Sequence, residues 1–248
     1  MLTQVERQSL PEAVFRQLRD RILDGRLPAG EKLPGERELA GKLGVNRNAL
    51  REALKKLEQL KLIAIHPGGS TRVLDFRTTG GLDILVTLLF GEDGALRISA
   101  ARALVELRTA LGPDIAARAA RRGGPGRAAE LDGILEKMSG ARDADPATLD
   151  SLSLGIWGVL VEASDNLAYR LAFNTMLEGW RSMQTLFAPA LVGELRDLAG
   201  YRALVRAVAQ GEPERARRAA ARLVEKGEEG LVRLIGAQGT HRKRGKSK

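Results

Sequence analysis

The chain has 248 residues, enough for one or two domains with a buried core, and its lack of cysteine excludes disulfides, thiolate nucleophiles and cysteine metal sites. Its net charge is +9, and the basic surplus lies at the ends: the first 75 residues hold 14 Lys/Arg against 10 Asp/Glu, and residues 241–248 hold five basic residues and no acid. A polyanion is therefore expected to bind the ends of the chain, and apolar runs too short to span a bilayer predict a cytoplasmic protein without membrane segments.

The first 75 residues predict three helices and a hairpin. Helical periodicity and capping residues predict helices that begin after Ser9, at Glu36 and after Asn46, and Gly25 and Gly44 end the first two. A short extended piece lies at 31–33. Residues 62–65 and 71–74 are β-prone and flank the turn sequence at 67–70. This order predicts a winged helix-turn-helix.

Beyond Phe76 the pattern is helical and predicts no strand. A hinge is expected at 78–81, followed by a short helix at 82–90. Helices are predicted at about 99–122, 128–140, 147–163, 167–187, 192–209 and 213–235. The predicted fold is mainly α, with a DNA-binding domain at 1–75, a linker at 76–98, an all-helical ligand-binding and dimerisation domain at 99–236 and a basic disordered tail at 237–248.

The third predicted helix separates apolar from cationic side chains. The apolar stripe consists of Leu50, Leu54, Leu57 and Leu60, and the cationic stripe consists of Arg47, Arg51 and Lys55. Side chains three or four positions apart share one face of a helix, so the leucines are expected to pack inward and the cations to point outward.

The start of that helix carries residue types that recognise DNA. In a helix-turn-helix the first residues of the second helix face base edges, where arginine pairs with guanine and asparagine with adenine. The predicted DNA-binding residues are Arg37, Asn46, Arg47, Asn48 and Arg51, with the hairpin glycines Gly68 and Gly69. The alternative is that these cations form an ordinary solvated helix face.

The segments 22–40 and 43–54 closely resemble the signature of the GntR family of bacterial repressors. The resemblance covers residues 11–75 and implies that Arg37, Arg47 and Arg51 contact DNA. It departs from many members at Asn46, Asn48 and Ala49, so it implies the mode of contact and no operator sequence.

The downstream region resembles the FadR-type branch of that family, in which a helical domain binds an effector and forms a dimer. The resemblance rests on the segments 106–120, 163–166 and 207–222. Many members bind a divalent metal there through three histidines and an acid. This chain has two histidines, His66 and His241, and both lie outside the helical segments that would form that site.

No metal or other cofactor is therefore predicted. The expected positions of the metal ligands hold Ser153, Trp157 and Arg222, and imidazole is the ligand that such a site needs. In this respect the chain is similar to the branch members that respond to fatty-acyl-CoA.

Polar residues within the helical domain are candidates for contact with an effector. The predicted set is Arg108, Trp157, Asn166, Asn174 and Tyr201. Arg108 is the first choice because a guanidinium binds a carboxylate or phosphate in a fork, although it could equally pair with Glu106 or Asp114. Trp157 and Trp180 could also be ordinary core residues.

The sequence thus predicts a regulator, expected to be a repressor, that binds a palindromic operator in double-stranded DNA as a homodimer and is modulated by a small acidic metabolite. Alternatives are a DNA-binding protein without a ligand and a regulator responding to long-chain acyl-CoA. An enzyme is not expected, because nucleotide-binding and nucleophile motifs are absent from the sequence.

Overall fold

The computed structural model describes residues 10–66, 70–91, 94–141 and 143–245, and the chain divides into two compact units between Arg97 and Ile98. We call the first the winged-helix unit and the second the helical unit. The winged-helix unit contains α1 (Leu10–Leu23), α2 (Glu36–Leu43), α3 (Arg47–Gln59), β1 (Ile63–His66), β2 (Ser70–Val73), α4 (Phe76–Thr79) and α5 (Asp83–Leu88). The predicted order of helices and hairpin is confirmed.

Local chemistry sets the turn between α2 and α3. Gly44 ends α2 in a left-handed conformation, with φ +65°, which a residue lacking Cβ adopts without strain. Asn46 then caps α3, because its side-chain oxygen accepts a 2.8 Å hydrogen bond from the Ala49 amide. This turn determines where the first residues of α3 lie.

The hairpin is antiparallel, with Ile63 opposite Val73 and His66 opposite Ser70. Lys32 forms an additional antiparallel bridge with Arg72, so the extended piece predicted at 31–33 lies against β2. The hairpin tip, residues 67–69, lies outside the described residues.

The core of the winged-helix unit lies between α1, α2, α3 and the hairpin. Its fully or almost fully buried side chains include Leu18, Ile22, Leu33, Leu50, Ala53, Leu54, Leu57, Leu62, Ile63 and Val73. At about 25 cal/mol per Å² of apolar surface, this contiguous burial is the main stabilising contribution within the unit.

The segment predicted as a linker at 76–98 is part of the winged-helix unit up to Arg97. Ile84 is buried in the core of this unit. Arg97 donates a 3.0 Å hydrogen bond to the buried carboxylate of Asp20 in α1, which also pairs with Arg19 at 2.9 Å. The segment is not a separate linker, because Arg97 at its end pairs with Asp20, which lies 77 positions away in the sequence.

The helical unit contains α6 (Ile98–Arg122), α7 (Ala128–Gly140), α8 (Pro146–Ala163), α9 (Leu167–Phe187), α10 (Val192–Leu195), α11 (Leu198–Ala209) and α12 (Pro213–Gly245), with 3₁₀ turns at Pro125–Arg127 and Ala188–Leu191. Helices α6 and α12 pack along each other, and α8 and α11 each pack against helix α6. The fold class predicted from the sequence, a winged helix followed by an all-helical domain, is confirmed. No helix in the described ranges combines the length and apolar character needed to cross a bilayer.

Two predicted features of the helical unit differ in the structure. The helix predicted at 192–209 is divided into α10 and α11, because the Asp197 side chain accepts the Gly200 amide and starts a new helix. The tail predicted as disordered from residue 237 is helical to Gly245.

Candidate nucleic-acid interface and buried cavity

The exposed face of α3 carries the predicted DNA-reading residues. Arg47 and Asn48 are exposed in the first turn, and Arg51 and Lys55 are exposed further along the helix. The opposite face carries the leucine stripe: Leu50, Leu54 and Leu57 are buried, and Leu60 is half-buried against the same core. The predicted separation of inward leucines from outward cations is confirmed.

The cations of this face differ in their partners. The Arg51 Nε donates to Glu36 Oε2 at 2.7 Å. Among the described residues, neither Arg37 nor Arg47 has an ion-pair partner, and both are exposed. An exposed ion pair stabilises a protein by about 0 to 1 kcal/mol, so a phosphate or base edge can displace Glu36 at little cost. This surface can therefore bind a polyanion.

The sequence predicts two roles for Asn46, as the cap of α3 and as a DNA contact, and the structure shows the capping role. Its side-chain oxygen caps α3 by accepting the Ala49 amide, and that oxygen keeps a second acceptor site while the amide nitrogen keeps both donors. Bidentate pairing with adenine uses one acceptor and one donor of the amide, so the cap leaves Asn46 able to pair in that way. Asn48 is exposed and keeps that capacity. The predicted contacts of Gly68 and Gly69 lie outside the described residues.

The helical unit contains a partly open cavity of about 70 Å³ between α6, α8 and α9. Its wall is mainly aliphatic and aromatic, with few polar groups. The lining residues include Leu104, Val105, Leu111, Ile115, Leu154, Trp157, Phe173, Met176, Leu177, Trp180 and Phe187, with Arg108, Asp150, Ser153 and Tyr169 as the polar members. A mainly apolar cavity with few convergent polar groups is typical of a small-molecule site.

Arg108 is the cation in the cavity wall, and its charge is already matched. Its guanidinium pairs with Glu194, which is fully buried, and the Tyr201 hydroxyl donates to the same carboxylate at 3.3 Å. The hydroxyls of Tyr201 and Ser153 share a 2.7 Å hydrogen bond. Burial raises the pKa of the Glu194 carboxyl, and Arg108 partly offsets this effect. These residues form a connected buried polar network.

A second buried carboxylate, Asp150, lines the cavity. It accepts hydrogen bonds from Trp180 Nε1 at 2.9 Å and from Gln184 Nε2 at 2.8 Å. Burial raises the pKa of Asp150, although both hydrogen bonds favour its charged form. Trp180 therefore has a polar partner as well as an apolar role in the wall.

A cluster on Asp114 connects α9 to α6 and α12 beside the cavity. The Tyr169 hydroxyl, Arg118 Nε and Arg217 Nη2 donate to this carboxylate at 2.5, 2.6 and 2.8 Å. Together, and led by the Tyr169 hydroxyl, these donors lower the pKa of Asp114. The cluster connects three helices near the Tyr169 end of the wall.

The structure brings some of the predicted effector residues together and separates others. Arg108 and Trp157 line the cavity, and Tyr201 is buried beside it through its bond to Ser153. Asn166 is not in the wall, because its side chain caps α9 by accepting the Ala168 and Tyr169 amides. Asn174 lies on the exposed face of α9. The prediction that Asn166 and Asn174 line the effector site is therefore wrong for this cavity.

Sequence reasoning missed Glu194 and Asp150 as members of the buried network. Glu194 follows an apolar segment at 187–192, which indicates that this acid is buried. Because a buried carboxylate is usually paired, the sequence signalled that a cation lies nearby. Asp150 carried no such signal, because it lies three residues before Ser153 on a helix with polar residues on either side.

The positions at which the family resemblance places metal ligands do not form a cation site. Ser153 is hydrogen-bonded to Tyr201, and Trp157 provides an indole N–H, which is a donor only. Within the part of the chain that the structure describes, no three His, Cys, Asp or Glu residues group as metal ligands. The expectation that the protein uses no metal stays a prediction.

Both units match known protein families. Residues 10–73 match the model of "Bacterial regulatory proteins, gntR family", and residues 103–226 match the model of the FCD domain. The chain is 35% identical over 239 residues to the HTH-type transcriptional regulator Mce2R of Mycobacterium tuberculosis, covering 96% of this chain and 98% of that protein.

Other matches are more distant. The chain is 33% identical over 163 residues to the fatty acid metabolism regulator protein of Cronobacter sakazakii, with 62% of each chain covered. A solved structure of Lar, which is described as controlling the Listeria monocytogenes agr system, covers 92% of this chain and 99% of its own, with 17% identity and a TM-score of 0.53. That similarity concerns the fold.

Proposed function

The chain belongs to the GntR family of bacterial regulatory proteins, its helical unit is an FCD domain, and from this premise we propose that it is a repressor controlled by a small molecule in that unit. DNA-binding transcriptional regulation is the function that the family establishes. The repressor role, the effector, the location in the cytoplasm and the absence of enzymatic activity are parts of the proposal.

The exposed face of α3 is the observation that carries the proposal. Arg47 has no ion-pair partner among the described residues and stands in the first turn of a helix whose opposite face is buried. Burial of the opposite face holds the helix rigidly. Because Arg47 has no ion pair to break, its guanidinium is free to enter a major groove. Arg51 and Asn48 extend the same face, and Arg37 is suited to a phosphate contact.

A homodimer on a palindromic operator is the assembly that fits this small reading surface. One winged helix contacts few base pairs, and a twofold dimer doubles the number of contacts and matches the symmetry of the operator. An effector changes operator affinity only if it binds the DNA-bound and DNA-free forms with different affinity.

The test of DNA reading is selection of binding sites from a random duplex library, followed by anisotropy titration of the selected duplex. Replacing both Arg47 and Arg51 by alanine should weaken binding by about 30-fold or more, since each base contact contributes about 1 to 3 kcal/mol. The matched control replaces Arg102 and Arg218, which are exposed in the helical unit. That variant loses the same charge and should bind within a fewfold of the unchanged protein.

The effector part of the proposal has its own test. Native mass spectrometry of the purified protein identifies a small molecule that co-purifies with it, and operator affinity is then measured with and without that molecule. Equal affinities would remove the switch and leave the alternative of a ligand-independent DNA-binding protein. The presence of an apolar cavity with polar groups favours the sensor.

A response to long-chain acyl-CoA is the second candidate. The relative from Cronobacter sakazakii is a regulator of fatty acid metabolism, which is a property of that protein. The cavity volume of about 70 Å³ argues against this ligand, because a long acyl chain needs several times more space.

A further inference from the structure

The charge around the cavity provides a constraint on its ligand, and the following inference rests on the proposed function. Of the described residues that line the cavity, Arg108 and Asp150 are the charged ones. Arg108 is paired with Glu194, and Asp150 is held by Trp180 and Gln184. With one largely buried cation against two buried carboxylates, an anionic ligand would bring a charge that nothing compensates.

Polar groups remain available for an uncharged ligand. Among the described residues, Arg108 Nη1 and Trp157 Nε1 are buried donors without a hydrogen-bond partner, and Glu194 Oε2 is a buried acceptor without one. Arg108 and Trp157 belong to the cavity wall, and Glu194 does not. An unsatisfied buried polar group costs about 1 to 3 kcal/mol, so a ligand that accepts from the Arg108 or Trp157 donor recovers that free energy.

The size of the cavity limits the ligand further. The cavity volume of about 70 Å³ is well below the roughly 300 to 1,000 Å³ of sites for drug-sized ligands, so it suits a small molecule. The aliphatic and aromatic wall favours an apolar body over water.

We propose that the cavity binds a compact uncharged amphiphile, with a short apolar body and one hydroxyl or carbonyl oxygen. The Arg108–Glu194 pair excludes the carboxylate form of such a molecule. This assignment replaces the acidic metabolite expected from the sequence, because that expectation assumed an unpaired Arg108.

The test uses three probes of equal chain length: 1-pentanol, pentanoate and 1-pentylamine. Binding to the DNA-free full-length protein at pH 7 is measured by ligand-detected NMR titration. 1-Pentanol should bind at least tenfold more tightly than pentanoate, whose charge has no free counter-charge. It should bind more tightly than 1-pentylamine by the same margin, because an ammonium group has no acceptor for the unpartnered Arg108 and Trp157 donors. A preference for either charged probe overturns the proposal, and so does the absence of binding by all three.

The Glu194→Gln variant sharpens the test. Glutamine keeps an oxygen that can accept from Arg108 and Tyr201 but removes the compensating charge. Pentanoate affinity should rise at least tenfold and exceed that of 1-pentanol. An unchanged order of affinities in a folded variant would show that Glu194 does not determine ligand charge, and the proposal would fail.

Met176→Trp is the control for location, since Met176 lines the cavity and tryptophan fills it. It should abolish binding of 1-pentanol while the circular dichroism spectrum of the protein stays unchanged, and retained binding places the probe elsewhere and overturns the proposal. Operator affinity is not used in these titrations. Failure of the probes therefore rejects the ligand class, whereas failure of the Arg47 and Arg51 test rejects the DNA-binding function.

Discussion

The winged-helix unit and the helical unit place charge in opposite ways. In the winged-helix unit Arg37 and Arg47 are exposed and have no ion-pair partner among the described residues, whereas in the helical unit Arg108 is largely buried and matched by Glu194. An exposed cation is available to an external polyanion, and a buried matched cation is available for hydrogen bonds but contributes no net charge. The comparison shows that the environment of an arginine determines which ligand it can bind.

The largest effect is expected from Glu194→Ala, which leaves Arg108 buried without its counter-charge. Breaking a buried ion pair costs about 3 to 5 kcal/mol of unfolding free energy. The loss should appear in the transition of the helical unit during denaturant titration. The matched control is Glu106→Ala, an exposed acid on α6, which should change stability by less than about 0.5 kcal/mol. Equal effects of the two variants would contradict the assigned role of Glu194.

Asp20→Asn tests a buried charge in the other unit. Asp20 accepts hydrogen bonds from both Arg19 and Arg97, and the neutral amide should cost about 2 to 3 kcal/mol of unfolding free energy. Asp24→Asn is the control, because Asp24 contacts the same Arg97 at 3.3 Å but is half-exposed. Denaturant titration should show a far smaller loss for the control, and a comparable loss would contradict the importance of burial.

Asn46→Ala is expected to cost about 1 kcal/mol of unfolding free energy, because it removes the cap of α3. Asn46→Ser should retain stability, since serine caps a helix about equally well and adds no charge that DNA would repel. If both variants lose operator affinity to the same extent, Asn46 contacts DNA through its amide. Full affinity of the serine variant shows that capping is its role.

The smallest effect concerns Asp150 and depends on pH. Burial raises the pKa of Asp150, so its ionised form is disfavoured in the folded state and stability is lost as pH rises through the folded pKa. Asp150→Asn removes the ionisable carboxyl and with it this loss of stability. The variant should therefore be more stable than the unchanged protein at pH 8, by up to about 1 kcal/mol, and the difference should be smaller at pH 4. Thermal denaturation across this range measures it. A larger benefit at pH 4 would contradict the assignment.

Residues that act through local chemistry could be predicted from the sequence. The helix ends at Gly44 and Asn46 and the two stripes of α3 follow from spacing and capping rules, which depend on near neighbours. The winged-helix order, the mainly helical second unit and the outward position of Arg47 were therefore accessible, and the family comparisons agree with them.

The partners of buried polar groups were decided by the tertiary structure. Arg108 and Glu194 are separated by 86 positions, and Asp20 and Arg97 by 77, so no periodicity relates them. The sequence places each charge on a helix but does not say which opposite charge another helix brings beside it. Because pairing across the fold determines whether a buried arginine attracts an anion or is already neutralised, the chemistry of the cavity became apparent only from the packed helices.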